Sequence, residues 1–197
     1  MLKKMILGTA ICFGLLLSTA QVSQAQGKTL DELKAEREVL KSEMKSKEAL
    51  ERTEKMDKLE APKPCEIQSV DGLAINATTM LLASKENSKL IPEMYKRTIG
   101  ETTDGVTDVT VKKPTLQELI DLSVNLATQI KAISDASANI AGASDEISKE
   151  KNPMKIGKAT KVLNYSKEVI SLLGPELQLN LKVVNNLIAT MKSSNNN

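Results

Sequence analysis

Between residues 116 and 191, large aliphatic side chains return every seven positions, in two successive series. Leu119, Leu126, Ile133, Ile140 and Ile147 form the first. Ile156, Leu163, Ile170, Leu177, Val184 and Met191 form the second. Seven residues are close to two turns of α-helix, so each series lies along one helical face; a strand would alternate at every second residue. Leu116, Ser123, Ile130, Ser137 and Ser144 interleave with the first series, and Ala159, Ser166, Leu173, Asn180 and Leu187 with the second. Ala127, Ser134, Ala136, Ala141 and Ala143 flank the first seam, which lets neighbouring helices approach on two sides. At 1.5 Å per residue, a helix of roughly 35 residues is about 50 Å long. Such faces must be buried against other helices. The expected fold is all-α, an elongated antiparallel bundle of three to five long helices.

Local signals mark where these helices begin. Thr115, with Glu118 three residues on, reads as a capping box, and Asn152 followed by Pro153 reads as a cap and first helical residue. Gly142 falls away from the first seam, where it costs about 1 kcal/mol in propensity without cutting the seam. The phase of the second series runs straight through Gly174 and Pro175, which predicts one kinked, continuous helix. This is expected even though a mid-helix proline can cost about 3 kcal/mol. The rival is a sharp turn there into a separate last helix.

The region before residue 99 is less regular. Thr29 and Glu32 form another capping box, opening a charge-dense helix over residues 29–60. Glu43/Lys47, Glu48/Arg52, Glu51/Lys55 and Glu54/Lys58 are acid-before-base pairs four apart. Leu30, Leu33, Leu40 and Met44 make a narrow heptad-like stripe, the candidate partner-contact face of a coiled-coil-like arm. The plainer alternative is a solvated helix lying along the bundle. Pro62, Lys63 and Pro64 end this arm. Ile67, Val70, Ala74, Ala77, Leu81 and Ser84 predict a second helix over 66–87, traceable to Ile91 and Tyr95 with a break or kink at Pro92. Residues 99–114, with Gly100, Gly105 and the alternation from Val106 to Val111, read as a loop that could hold a small β-hairpin. The domain plan is therefore a segment 1–25, an arm and linker 26–64, a bundle 65–192 and a disordered polar tail 193–197.

Residues 1–25 look like a secretory signal peptide: Lys3 and Lys4, an apolar run from Met5 to Leu17, then small residues at cleavage-site spacing, either Ser18 and Ala20 or Ser23 and Ala25. The run is about 13 residues, short of the roughly 20 that span a bilayer. Cys12 lacks the small preceding residue of a lipobox, because Ile11 stands there, so a lipoprotein is not expected. Removal of 25 from 197 residues leaves 172, the size of one domain. It also removes Lys3 and Lys4, so 27 less two basic residues face 25 acidic ones and the mature chain is balanced. That balance, with only two Tyr and no Trp or Phe for stacking after residue 25, argues against a nucleic-acid partner. The protein is expected to be exported, to the periplasm or outside the cell. Cys65 is then the lone cysteine, either buried or paired in an interchain disulfide.

The chain contains no His and no Trp. Without His, Ser-His and Cys-His nucleophiles and most zinc and haem sites are ruled out. No phosphate loop, dinucleotide fingerprint, paired-cysteine metal site or EF-hand spacing occurs either. No cofactor or metal is expected, and an enzyme relying on carboxylates alone is the least favoured class. Lys155, Lys158 and Lys161 read as a solvated face, and the sequon at Asn76 falls in an apparent helix. Two classes remain. The first is an exported bundle with a structural or protein-interaction role, joining a protein partner or itself. The second is a membrane-active long-helix protein resembling a pore-forming toxin. No transmembrane segment is expected in the mature chain, and contact with a membrane surface stays open.

Overall fold

The computed structural model describes residues 27–100 and 113–195. These form five α-helices and no strand: α1 (Leu30–Met44), α2 (Lys47–Lys58), α3 (Gln68–Ile99), α4 (Leu116–Lys149) and α5 (Pro153–Asn195). The segment 1–25 and most of the 99–114 loop, with its expected hairpin, lie outside the described residues.

The two sevenfold series become α4 and α5. Thr115 and Glu118 close the expected capping box: the Glu118 amide donates to Thr115 Oγ1 at 3.1 Å and the Thr115 amide to Glu118 Oε2 at 2.6 Å. Asn152 caps α5, its Oδ1 accepting from the Met154 amide at 3.0 Å. Only residues 150–152 separate the two helices, so they run antiparallel, and Ser123 bonds Asn185 across them at 2.8 Å. Asn87 to Gln129 and Ser69 to Glu146 set α3 antiparallel to α4. Thr78 and Tyr165, 3.0 Å apart, then join α3 to α5 side by side in the same direction.

These three helices enclose a continuous apolar core. Leu119, Leu126, Ile133, Leu163, Ile170, Leu177 and Val184 from the sevenfold series are all buried in it, with Val70, Leu73, Ala77 and Ile91 of α3. α5 is the central element: it packs against all four other helices and buries Val162, Val169, Leu173 and Val183 besides its own series. That explains why its apolar residues exceed a single stripe.

The structure departs from expectation in three places. The helix foreseen over residues 29–60 is broken at Lys45 and Ser46. Ser46 Oγ takes the Ala49 amide at 3.2 Å, and such a local bond competes with helix continuation. Glu43 and Lys47 therefore sit on different helices, and Glu43 faces Lys182 of α5 instead, at 4.0 Å. Conversely, α3 is not broken at Pro92 but continues to Ile99. The proline lacks an amide hydrogen and leaves the Ser88 carbonyl without its helical donor. Buried Ile91 and Tyr95 on either side hold the helix against the core. The stop comes at Gly100, whose φ of 73° is a left-handed cap suited to glycine. Finally, α5 runs to Asn195, so Ser193 and Ser194 belong to a helix rather than to the expected tail. Ser194 bonds the Thr190 carbonyl at 2.9 Å.

α1 and α2 together form a fourth, bent rod on the outside of the bundle. As numbers rise along the arm they fall along α5: Arg37 meets Thr190, Glu43 meets Lys182, and Arg52 meets Glu176. The rod is antiparallel to α5. Its far end reaches α3 well past that helix's start, where Asp57 faces Lys85 at 3.7 Å. Residues 59–67 must return from that level to Gln68, about 25 Å at helical rise. Nine residues reach about 30 Å when fully extended. The linker covers this distance without helix, and Glu66 near its end takes a left-handed φ of 68°.

Candidate interaction surface: the seam between the arm and α5

Four positions of the arm point inward. Leu33, Leu40, Ala49 and Met56 are buried, and they are spaced so that each helix of the bent rod contributes two. Of the stripe proposed from sequence, Leu33 is 1% exposed and Leu40 6%, while Leu30 is 38% exposed. Met44 is half-buried against the core. Leu33 and Leu40 of the stripe are thus taken up within the chain, where α1 packs on α5, and Leu30 is left exposed.

Between these anchors the seam is polar, unlike the core. Arg37 is buried, and its Nη1 donates to Thr190 Oγ1 at 2.6 Å and to Asn186 Oδ1 at 3.3 Å. Asn186 returns two donors to α1: to the Leu33 carbonyl at 3.0 Å and to Glu36 Oε2 at 2.9 Å. Burial works to raise the Glu36 pKa, but the Lys28 and Asn186 hydrogen bonds outweigh it and hold the carboxyl below its usual value. Lys28 sits 2.9 Å away. Lower down, Arg52 Nε donates to Glu176 Oε2 at 3.0 Å, with both side chains largely withdrawn from water. Asn180 adds a longer bond to Glu176 at 3.4 Å. The arm supplies cations and α5 supplies acceptors at both levels.

A cavity of about 140 Å³ lies between these two levels. Met44, Ala49 and Thr53 line it from the arm, Ser88 and Pro92 from α3, and Glu176, Leu179 and Asn180 from α5. The helix irregularities converge there: the α1–α2 break, Pro92, and Pro175 one residue before Glu176.

Cys65 sits at the far end of the linker and is 1% exposed. Burial and the adjacent Asp71 push its thiol pKa up. Asp71 is the local organiser: Oδ1 accepts the Cys65 amide and Oδ2 the Glu66 amide, each at 2.8 Å. Burial opposes its ionisation, but these bonds prevail and keep its pKa below the usual value. They also hold Glu66 at a φ of 68°, a left-handed conformation uncommon for its type. An interchain disulfide through Cys65 would need this junction to open.

The remaining sequence features are dispersed. Lys155 lies 3.7 Å from Glu150, while Lys158 and Lys161 are exposed. Asn76 is exposed on α3, and Thr78 of its sequon bonds the Ala74 carbonyl at 2.8 Å. Among the described residues, no three metal-ligating side chains cluster, and no helix is long and apolar enough to cross a membrane. Arg37, Glu176 and Asn186 were not singled out from sequence, and Arg52, expected to pair with Glu48, pairs with Glu176 instead. Their only signal was an Asn and a Glu on α5 beside an otherwise apolar series. No protein-family model, curated protein or solved structure matches the chain.

Proposed function

We propose that the chain is an exported helical-bundle protein that works by contact, in a structural or protein-interaction role in the bacterial envelope or outside the cell. The coiled-coil-like arm α1–α2 is the contacting element. The observation that carries this reading is the arm itself: α1 and α2 lie on the outside of the bundle, pack chiefly on α5, and keep most of their side chains in water. The outer side of that arm keeps Val39 and Leu50 in water, 66% and 60% exposed. The chain has no His, and among the described residues no three His, Cys, Asp or Glu side chains group as a metal site.

The test places a photo-cross-linking residue at Val39 or Leu50, with Val124 of α4 as the control. Discrete adducts at the two arm positions and none at Val124 are expected in cells exporting the protein. Equal labelling at all three positions, or dye release from liposomes by the purified mature chain, would overturn the reading in favour of the membrane-active alternative.

A further inference from the structure

We propose that the cavity between the arm, α3 and α5 is a binding site for a small neutral hydroxyl compound with an apolar body, about the size of phenol. This goes beyond contact by the arm and stands without it. The cavity has a mouth and a floor. Thr53 at its edge is exposed, and Ser88 and Pro92 are half-buried. Ala49, Glu176, Leu179 and Asn180 are buried. A guest can therefore enter from solvent and be covered on its other sides. The volume of about 140 Å³ is close to the roughly 150 Å³ of an interior cavity that takes up benzene, so six or seven non-hydrogen atoms fill it.

The floor distinguishes this space from a packing gap between apolar residues, which would stay dry. Asn180 is 3% exposed and Glu176 8%, two polar side chains one turn apart on α5. Asn180 Nδ2 donates to Glu176 Oε1 at a long 3.4 Å, and among the described residues nothing else bonds to its amide. Its Oδ1 and second amide hydrogen are left for whatever fills the cavity. Ser88 and Thr53 turn their hydroxyl hydrogens back on the Ser84 and Ala49 carbonyls, at 3.0 Å and 3.1 Å, so both oxygens remain as acceptors. The Ser88 carbonyl, left without its helical donor by Pro92, is a further acceptor on the same residue. The wall thus asks for one donated hydrogen and offers one in return, which a hydroxyl group matches at a single atom. Met44, Leu179 and the Pro92 ring suit an apolar body. Charge is disfavoured, because Glu176 already meets Arg52 at 3.0 Å. A cation finds its counter-charge taken, and an anion meets a carboxylate.

The experiment titrates phenol, benzene and n-butylammonium into the mature chain and follows the methyl NMR signals of Met44 and Leu179. Phenol is expected to shift both signals saturably, with benzene roughly tenfold weaker because it strands the buried amide and the acceptors beside it. Asn180→Leu keeps the volume and removes the amide, so the preference for phenol over benzene should collapse towards one. No saturable shift with phenol overturns the site, and the cavity then holds water only. Benzene binding as tightly as phenol, or n-butylammonium binding more tightly, overturns the assignment of a neutral hydroxyl guest. So does a preference that survives Asn180→Leu. If that variant does not fold, the wild type decides: cross-relaxation from the phenol ring protons to the Met44 and Leu179 methyls supports the site, and its absence at saturation refutes it.

Discussion

Asn186 accepts from Arg37 with its carbonyl oxygen and donates to the Leu33 carbonyl and the Glu36 carboxylate. Truncation would leave a buried guanidinium with Thr190 as its remaining acceptor on α5. Asn186→Ala is expected to lower stability by about 2–3 kcal/mol, the penalty for stranding a buried charged donor, read as a shift in urea midpoint at constant slope. Asp71 makes a prediction with a sign. Its carboxyl titrates below the ordinary 3.8 when folded, so its contribution is complete above about that pH and is lost as pH falls through the folded value. Wild type should exceed Asp71→Asn by about 1.5 kcal/mol at pH 7, with the gap closing below pH 4. A gap unchanged down to pH 3 would sink this assignment. Neither residue announced itself in the sequence. Asp71 is one carboxylate among many, and its role depends on where the linker delivers two amides.

At the scale of elements, periodicity was the most legible property. α4 and α5 follow from their sevenfold series, their caps from Thr115 and Asn152, and the unbroken course of α5 from the phase kept across Gly174 and Pro175. The misses share one cause. Ser46 breaks the arm through a single hydroxyl-to-amide bond, and Ile91 and Tyr95 hold α3 through Pro92 by tertiary burial. Neither effect is written in a period. The arm–α5 seam was legible only as a stripe, because its specificity lies in polar side chains that periodic patterns discount. Glycines offer an independent check on the helices themselves. A Cβ at Gly142 or Gly157 would meet no atom within 4 Å. Gly142→Ala and Gly157→Ala are each expected to raise stability by about 0.5–1 kcal/mol, additively in the double variant, as measured by thermal unfolding.

For the molecule as a whole, the exposed, non-helical linker should be the first place a protease enters. Glu60 is exposed and lies outside any helix, whereas Glu86 is held in α3. A glutamate-specific protease applied to the native chain should cut after Glu60 before Glu86, which mass spectrometry of the early fragments would show. The central position of α5 has a temporal consequence. It is the last helix to be made, yet α1, α2, α3 and α4 all pack on it. Until it emerges, the earlier helices lack their main partner, and only the facing sides of α3 and α4 can meet. The contacts of α1 span about 150 positions of sequence, a long loop to close, and such contacts form late. A growing chain of this design should stay loosely structured almost to its end and then condense in one step. That property would suit the proposed export, in which a polypeptide is threaded through a narrow passage before it folds.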